Sequence, residues 1–277
     1  MFSRILVATD LSEASDCVIG SLGALQDLGT REIVLIHCLN LCEPSIVKNE
    51  LKNLAEPYLA RQADALDRQG FETTIEVASG PSPREISRIV DEKECSLVVI
   101  GSHGETKSSQ ILMGSEARKI INSVHKPALV VRLQLRQEKG RAVCETCRMN
   151  LSGPVLFPTD FSAIAERAFN YLRKIVSEVS NDVTLLHVQE QSHIDKESFE
   201  DRNRIAQERL SKMKTELEAI GARVEIEQTV GMPAREILSR VKEGNFSWVA
   251  IGCQDPDISH KVASQSQIPV LLIPAKP

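Results

Sequence analysis

Short apolar runs alternate with longer amphipathic stretches along the first half of the chain. The apolar runs predict one strand leading into Asp10 and four more at residues 33–38, 71–77, 97–100 and 128–133. The stretches between them predict helices at residues 12–28, 45–68, 83–92 and from residue 115 onward. Near-continuous apolar strands that alternate with helices are typical of a parallel sheet covered on both faces. The sequence therefore predicts an α/β fold.

The same pattern occurs twice. Residues 5–12 return as 155–162, and residues 34–37 return as 184–187, both at an offset of 150. Residues 80–86 and 97–101 return as 231–237 and 248–252, at an offset of 151. A period this long indicates two domains of one fold rather than a solenoid. We predict domains at residues 1–135 and 153–277, joined by a linker at residues 136–152, and each half is long enough for its own core.

A glycine-rich loop follows the predicted fourth strand of the first half. Gly101-Ser102-His103-Gly104 is followed by nine residues and then by Gly114-Ser115, where a helix is predicted to begin. Glycines allow close approach of an anion, loop N–H groups can bind it, and a helix N-terminus adds roughly half a positive charge. The layout therefore predicts a phosphate site. The simpler interpretation is an ordinary strand-to-helix connection.

Three separated features are predicted to meet at one edge of the sheet. Asp10, Cys38 and Gly101 each lie at or just past the carboxyl end of a predicted strand. Ligands of open parallel sheets bind outside these strand ends, at the point where the strand order reverses. Asp10 could equally serve the turn or helix start before Ser12, and the two roles are compatible.

The chain resembles the universal stress protein family. The resemblance rests on the Gly-x-x-Gly-x9-Gly-Ser loop, on the Thr-Asp-x-Ser turn after the first strand and on the Leu-Ile-His turn after the second. The resemblance implies two tandem Rossmann-like domains of the adenine nucleotide alpha hydrolase type, each with a five-stranded parallel sheet flanked by helices. It also implies a nucleotide-binding protein of stress response or signalling. Its ligand would be ATP or AMP, with or without Mg²⁺.

The resemblance assigns the adenine and ribose end of the site. Ala8 and Thr9 would line the adenine pocket, and Asp10 would accept hydrogen bonds from the ribose or the adenine. Cys38 would meet the adenine through its backbone. The residues expected beside the ribose are Ile100 and Gly101.

The resemblance also assigns the phosphate end. The residues expected around the phosphates, mainly through their N–H groups, are His103, Gly104, Gly114, Ser115 and Glu116. The Glu116 carboxylate would repel phosphate unless its side chain turned outward, in which case only its N–H would contribute. Lys107 is an additional cation near this end, although a surface lysine is the simpler interpretation.

The second half departs from the pattern. Gly252 is followed by Cys253-Gln254-Asp255-Pro256-Asp257, without a second glycine or a Gly-Ser pair. The spacing from Gly252 to Pro269 is 17 positions, against 26 from Gly101 to Pro127, so nine residues are missing. Two carboxylates also stand where phosphate would need to bind. We therefore expect one nucleotide site per chain, in the first half.

Two other classes of function stay open. The first is a slow ATPase or phosphotransferase, although the loop lacks the Gly-Lys-Ser/Thr ending of a P-loop and offers no evident general base. Residues 102–105 also lack the second histidine of a His-x-Gly-His nucleotidyl-transfer signature. The second is an interaction module without a ligand, which the intact loop argues against. His37 and His187 recur at matched positions at the end of a buried strand. A histidine there is more often a hydrogen-bonded core residue than a catalytic one, so no catalytic residue is assigned.

Composition adds the expected surroundings. A net charge of −5 disfavours a surface that binds nucleic acid. The sequence has no apolar stretch of 18 residues, so no membrane-spanning helix is predicted. The start of the chain leads directly into a strand, which leaves no room for a signal peptide. Seven cysteines, five of them in or beside predicted core elements, favour reduced thiols and a cytoplasmic location.

The predicted linker carries Cys144-Glu145-Thr146-Cys147. A Cys-x-x-Cys pair can supply half of a four-thiolate zinc site, but the chain has no second pair. Redox chemistry of the thioredoxin type places this motif at a strand-to-helix junction rather than in a linker. No metal is therefore predicted, and an intermolecular metal site and a redox role stay as alternatives.

The two halves are expected to pack as a pseudo-dimer through their fifth strands, at residues 128–133 and 269–274. This expectation rests on the resemblance, because family members pair through that edge strand. A homodimer of the whole chain is a further option.

Overall fold

The computed structural model describes residues 1–39, 45–102, 114–138, 141–146, 149–179, 182–190 and 196–275 of the 277-residue chain. The side chains at residues 45–48, 133–138, 141–146 and 196–198 lie outside this description.

The first half contains five strands that alternate with helices. The strands are β1 (Arg4–Ala8), β2 (Glu32–Leu39), β3 (Glu72–Ser79), β4 (Val98–Gly101) and β5 (Ala128–Val131). The helices are α1 (Glu13–Gly20), α2 (Ser45–Asp67), α3 (Ser82–Glu92) and α4 (Ser115–Ser123). A 3₁₀ helix at Leu22–Leu28 follows α1.

A hairpin connects the halves, and the second half repeats the first. The hairpin strands are β6 (Leu133–Glu138) and β7 (Arg141–Thr146). The strands of the second half are β8 (Val155–Pro158), β9 (Asp182–Gln189), β10 (Arg223–Val230), β11 (Trp248–Gly252) and β12 (Val270–Ile273). Its helices are α5 (Ala163–Glu178), α6 (Lys196–Glu218), α7 (Pro233–Glu243) and α8 (Pro256–Gln265).

Ten of the strands form one continuous sheet, in the order β10-β9-β8-β11-β12-β5-β4-β1-β2-β3. Within each half all neighbouring strands are parallel. The strand order reverses between β1 and β4 in the first half and between β8 and β11 in the second. The predicted α/β class with five parallel strands in each half is therefore confirmed, and both reversal points are places where ligands bind in such sheets.

The fifth strands join the two halves. β12 pairs with β5 in antiparallel register, with Leu271 opposite Leu129. The buried Arg132 reaches across this junction, and its Nη1 donates to the carbonyl oxygen of Ser264 at 3.1 Å near the end of α8. A cation near a helix C-terminus is favourable because carbonyl dipoles accumulate there. The predicted contact between the fifth strands is confirmed.

The two faces of the sheet carry separate apolar layers. Successive strand residues point to opposite faces, so Ile5 and Val7 join one layer while Leu6 joins the other. Each layer contains residues of both halves, for example Phe2 and the fully buried Trp248 in the first. The two halves therefore share their cores across the β5–β12 junction.

Most predicted bounds differ from the observed ones by one or two residues, and three differences have a visible structural basis. The predicted helix at residues 12–28 ends as an α-helix at Gly20, because the Ser21 hydroxyl donates to Val18 O at 2.7 Å and a 3₁₀ helix follows. The predicted fifth strand at residues 128–133 ends at Val131, since Arg132 turns toward the second half. The hairpin of β6 and β7 begins at Leu133, before the predicted linker at residues 136–152, and ends inside it at Thr146; it lies beside α1.

His260 of α8 provides a test of the junction by pH. Burial is the main cause that lowers its pKa from 6.5, the Arg118 guanidinium of the first half adds to the effect, and Asp257 opposes it. A folded-state pKa below the unfolded value means that stability is complete above about pH 6.5 and is lost as the pH falls through the folded pKa. The urea midpoint should therefore decrease from pH 7.5 to pH 5, and His260→Gln should flatten this decrease.

The control for this experiment is His125→Gln, which removes another imidazole, paired with Asp91 at 2.8 Å at the protein surface. It should leave the decrease in the urea midpoint in place. If the urea midpoint of the His260→Gln protein decreased with falling pH as much as that of the wild type, His260 would not be the cause of the decrease.

The membrane question has a direct structural answer for the residues described: none of their helices combines the length and the apolar character needed to cross a bilayer.

Candidate functional site

An open cleft of about 870 Å³ lies at the carboxyl ends of β1, β2 and β4. It occupies the point where the strand order of the first half reverses. Nine of the eleven predicted site residues line it: Ala8, Thr9, Asp10, Cys38, Ile100, Gly101, Gly114, Ser115 and Glu116. The other two, His103 and Gly104, lie outside the described residues, as does Lys107.

The turn after β1 is held by hydrogen bonds to Asp10. Its Oδ1 accepts from the Ser12 N–H at 3.1 Å, from the Ser12 hydroxyl at 2.5 Å and from the Ser15 hydroxyl at 2.6 Å. The Ser12 hydroxyl oxygen accepts in turn from the Ser15 N–H and caps α1. Asp10 therefore has the structural role that its position allowed, and it still lines the cleft from an exposed position.

The backbone of this turn is strained in the same way in both halves. Leu11 has φ of 65° and Phe161 has φ of 60°, which is unusual for residues with a side chain. The N–H of Leu11 donates to Thr9 Oγ1 at 3.0 Å, and that of Phe161 donates to Thr159 Oγ1 at 3.1 Å. The repeated Thr-Asp-x-Ser motif is thus explained by the turn alone.

The matched histidines fix the same turns. Nδ1 of His37 lies 2.9 Å from the carbonyl oxygen of Thr9, and His187 makes the same contact with Thr159. Because a carbonyl oxygen only accepts, Nδ1 carries the donated proton in both rings. These contacts support a structural role for both histidines.

The helix α2 forms a wall of the cleft that the sequence analysis did not assign. Gln62, only 2% exposed, accepts from the Thr9 hydroxyl at 2.9 Å and donates to Asp16 Oδ1 at 2.6 Å. One buried amide thus joins the end of β1 to α1 and α2. The signal in the sequence was a glutamine beside the buried Leu59 and Leu66 on the apolar side of the helix.

The outer part of this wall is apolar and exposed. Leu54 and Tyr58 line the cleft and are 67% and 53% exposed. The guanidinium of Arg61 lies 6.0 Å from the centre of the Tyr58 ring and is held by Asp16 at 2.6 Å. A flat ligand entering from this side would meet an aromatic ring and an aliphatic side chain.

The opposite end of the cleft is the N-terminus of α4. Ser102 and Gly114 flank the glycine loop, and the Gly114 N–H donates to the Ser102 carbonyl at 3.2 Å. Gly114 is the N-cap of α4, and a glycine has no side chain that could cap the helix; among the described residues no side-chain hydrogen bond caps it either. The first N–H groups of a helix have no partner within the helix, so an uncapped N-terminus is suited to an anion.

Glu116 lies on the first turn of α4 and lines the cleft. Its Oε2 lies 3.3 Å from Lys119 Nζ on the next turn, with both side chains substantially exposed. The carboxylate therefore has a cation partner along the helix surface. This arrangement agrees with the expectation that Glu116 would contribute through its N–H.

Burial makes the thiol of Cys38 in the cleft, and those of Cys95 and Cys253 elsewhere, poor nucleophiles. Burial raises the pKa of Cys38 from 9.0 to about 11, although a hydrogen bond with Ser82 opposes the shift. Burial also raises the pKa of Cys95 and Cys253 to about 11. Among the described residues, Cys17, Cys38, Cys95 and Cys253 form no disulfide. Since the thiolate is the reactive form, these environments favour inert cysteines over reactive ones.

Alkylation of the native protein tests this interpretation. At pH 8 a shift from 9.0 to about 11 lowers the thiolate fraction roughly 100-fold. Iodoacetamide should therefore modify Cys38 and Cys253 about 100-fold more slowly in the native chain than in urea, measured peptide by peptide by mass spectrometry. Equal rates in the two conditions would show that these thiols are not protected.

The second half has a smaller cleft, of about 530 Å³, at the equivalent strand ends. Here Asp255 is the N-cap of α8, and its Oδ1 accepts from the N–H of Asp257 at 2.8 Å and of Ile258 at 3.4 Å. The helix N-terminus that is uncapped in the first half is thus occupied by the protein's own carboxylate in the second.

The Cys-x-x-Cys motif is described only in part. The backbone of Cys144 belongs to β7, while its side chain and all of Cys147 lie outside the described residues. Within the described part of the chain, no group of three or more His, Cys, Asp or Glu side chains is arranged to hold a metal ion.

Comparisons with known proteins agree with the repeat and with the fold. The model of the universal stress protein family matches residues 1–132 and 152–274. Universal stress protein MJ0577 of Methanocaldococcus jannaschii is 25% identical over 155 residues, covering 48% of this chain and 96% of that protein. Universal stress protein YxiE of Bacillus subtilis is 25% identical over 148 residues, covering 48% of this chain and 100% of that protein.

A solved structure matches both halves together. The crystal structure of a universal stress protein from Archaeoglobus fulgidus DSM 4304 has a TM-score of 0.76 at 22% identity. The match covers 98% of this chain and 96% of that one. At this identity the likeness concerns the fold alone, and it extends over the paired architecture.

Proposed function

Because the chain belongs to the universal stress protein family, we propose that its first half binds one adenine nucleotide in the cleft at the carboxyl ends of β1, β2 and β4. The observation that carries the proposal is the N-terminus of α4, which opens into this cleft without a side-chain cap. The ligand would be ATP or AMP.

The phosphate end would be supplied by backbone groups. The N–H groups of Ser115, Glu116 and Ala117 stand on the first turn of α4, and all three residues line the cleft. Gly114 adds no side chain at the point where the helix begins, and a Cβ placed there would meet no atom within 4 Å. Space, uncapped donors and the helix dipole together suit a phosphate group.

The adenine and ribose end would be supplied by the strand ends. Ala8, Cys38 and Ile100 provide apolar surface on three neighbouring strands, and Tyr58 adds an aromatic ring from α2. The exposed Asp10 carboxylate provides acceptor oxygens near the same strand end. A flat base with a hydroxyl-bearing sugar matches an apolar cleft with a few polar groups.

One site per chain follows from the difference between the two helix starts. Asp255 caps α8 through its side chain, whereas Gly114, the N-cap of α4, has no side chain with which to cap that helix. A phosphate in the second cleft would have to displace this carboxylate or lie beside it, and like charges repel strongly when partly desolvated. The second half is therefore proposed to lack nucleotide binding of the family type.

Binding, rather than turnover, is the proposed activity. His37, the one imidazole among the described residues of the cleft, uses Nδ1 to hold the Thr9 carbonyl. Asp10 Oδ1 is engaged by two hydroxyl groups and an N–H. These side chains thus hold the turn after β1 in place. This role suits a switch whose nucleotide state acts as a signal.

Heat release of bound nucleotide tests the proposal. The purified chain is denatured by heat, and the released nucleotide is identified by mass and quantified. We expect about one adenine nucleotide per chain, either retained through purification or after incubation with AMP or ATP. Asp10→Ala should reduce this amount, while Asp160→Ala, which removes the matched turn carboxylate of the second half, should not. Equal losses in both variants would contradict a single site in the first half.

Turnover separates a switch from an enzyme. A binding switch should convert no more than a stoichiometric amount of ATP over hours, measured as released phosphate. Release of many phosphate molecules per site would show that the protein is an ATPase rather than a binding switch.

A further inference from the structure

We propose that the cleft of the second half binds an unphosphorylated nucleoside-type ligand, a flat ring that carries hydroxyl or amino donors and no phosphate. The inference rests on the proposed function, because it interprets the second cleft as the base and sugar end of a site that has lost its phosphate end. Three observations carry it: the retained strand-end walls, the carboxylate acceptors and the occupied helix N-terminus.

The strand-end walls of the two clefts correspond, whereas the wall that α2 adds to the first cleft has no counterpart among the described lining residues of the second. Leu186, Val188 and Ile251 of the second cleft occupy the strand positions of Ile36, Cys38 and Ile100 of the first. Ile237 on α7 likewise stands where Ile86 stands on α3, and Ile258 of α8 adds further apolar surface. The cavity of about 530 Å³ lies within the usual range for small-molecule sites. The apolar surface at the strand ends is therefore present in both halves.

The aspartate at the second cleft accepts fewer hydrogen bonds from the protein than its counterpart in the first cleft. In the first half the Ser15 hydroxyl donates to Asp10, but Ala165 stands at the matching position in the second half. Among the described contacts, Asp160 accepts one hydrogen bond, from the Ser162 N–H to Oδ1 at 3.0 Å. The exposed Glu190 also lines the cleft. These carboxylates can accept hydrogen bonds from sugar hydroxyls or amino groups.

The same residues disfavour an anion. Asp160, Glu190 and Asp255 line the cleft, and no Lys, Arg or His is among its described lining residues. Asp255 also engages the N–H groups of Asp257 and Ile258 at the start of α8. A phosphate would therefore meet like charge and find its donors in use, while an uncharged or cationic ligand would meet neither obstacle.

Matched variants of the full chain separate the two clefts. Cys38 and Val188 occupy equivalent half-buried positions, one in each cleft. Cys38→Trp fills the first cleft and Val188→Trp fills the second, so each variant is the control for the other. Calorimetric titrations with adenosine and with AMP are carried out on the wild-type chain and on both variants, after removal of any bound nucleotide.

We expect the wild-type chain to bind about two adenosine molecules and about one AMP. Val188→Trp should remove one adenosine site and leave AMP binding within about twofold of wild type, whereas Cys38→Trp should remove AMP binding and leave one adenosine site. Ile258→Trp, which fills the second cleft from α8, replaces Val188→Trp if that variant does not fold by circular dichroism.

One adenosine per chain that Cys38→Trp removes, or an adenosine stoichiometry that the folded second-cleft variant leaves unchanged, overturns the inference. Two AMP molecules per chain, one of them removed by Val188→Trp, also overturns it, because the second cleft would then accept phosphate. Failure of the proposed function has a different signature, in which AMP binding is absent or insensitive to Cys38→Trp.

Discussion

Replacing Gly114 with aspartate is expected to abolish nucleotide binding without damaging the fold. Gly114 has φ of −54° and ψ of 146°, which any residue adopts, and an added Cβ would meet no atom within 4 Å. An aspartate at this N-cap would accept from the first N–H groups of α4, as Asp255 does in α8. The variant thus copies into the first half the feature that is proposed to close the second.

The two effects of this variant have opposite signs. An N-cap aspartate is better than glycine by only a few tenths of a kcal/mol, so the free energy of unfolding should stay level or rise slightly. The dissociation constant for AMP should increase at least ~100-fold, because donors are lost and a negative charge is added beside the phosphate. Thermal melting and calorimetric titration measure the two quantities on the same sample.

Two matched variants separate charge from shape. Gly114→Ala adds a small side chain without an acceptor and should weaken AMP binding by less than about tenfold. Gly114→Asn can cap the helix without a full charge and should give an intermediate loss. AMP binding by Gly114→Asp within about threefold of wild type would show that the N-terminus of α4 does not bind phosphate.

Replacing Gln62 with methionine is expected to produce the largest loss of stability among changes in the wall of the cleft. The amide is only 2% exposed and connects the Thr9 hydroxyl to Asp16. Methionine keeps much of the volume but removes both hydrogen bonds, which leaves the Thr9 hydroxyl without its acceptor at a buried position. The free energy of unfolding should fall by about 2–3 kcal/mol, and AMP affinity should fall severalfold as α2 loosens from β1.

The control for this variant is another glutamine pair. Gln228 donates to Gln207 at 2.6 Å on the exposed surface between β10 and α6. Gln207→Met should change the free energy of unfolding by less than about 0.5 kcal/mol, because water replaces the lost partner. Urea unfolding of the two variants under the same conditions gives the comparison, and equal losses would contradict a special role for the buried amide.

The fold could be predicted from the sequence because the patterns that indicate it are local and occur twice. Apolar runs such as residues 33–38 are too continuous for one-sided strands, and their recurrence at a fixed offset defined the two halves. The structure places these runs in one sheet and pairs the predicted fifth strands. Local bounds were less accurate where side-chain contacts decide them, as at Ser21 and Arg132.

The strand-end part of the site was also accessible, since parallel strands bring their carboxyl ends to one edge. Asp10, Cys38 and Gly101 are far apart in the chain and line the same cleft. The wall formed by α2 was not accessible, because the approach of Gln62 to Thr9 depends on how a helix packs on the sheet. Asp255 was recognised as a charge, but its cap on α8 required the geometry of the turn.

The most direct test of the central claim is to follow backbone amide resonances of the isotopically labelled chain during titration with ATP and with adenosine. ATP should shift the amides of Ser115, Glu116 and Ala117 at the start of α4, and adenosine should shift them far less. The amide N–H groups of Asp257 and Ile258 already donate to Asp255, so ATP should leave their resonances unshifted. Saturating ATP binding that leaves the α4 amides unmoved, or that moves the start of α8 equally, would contradict the account.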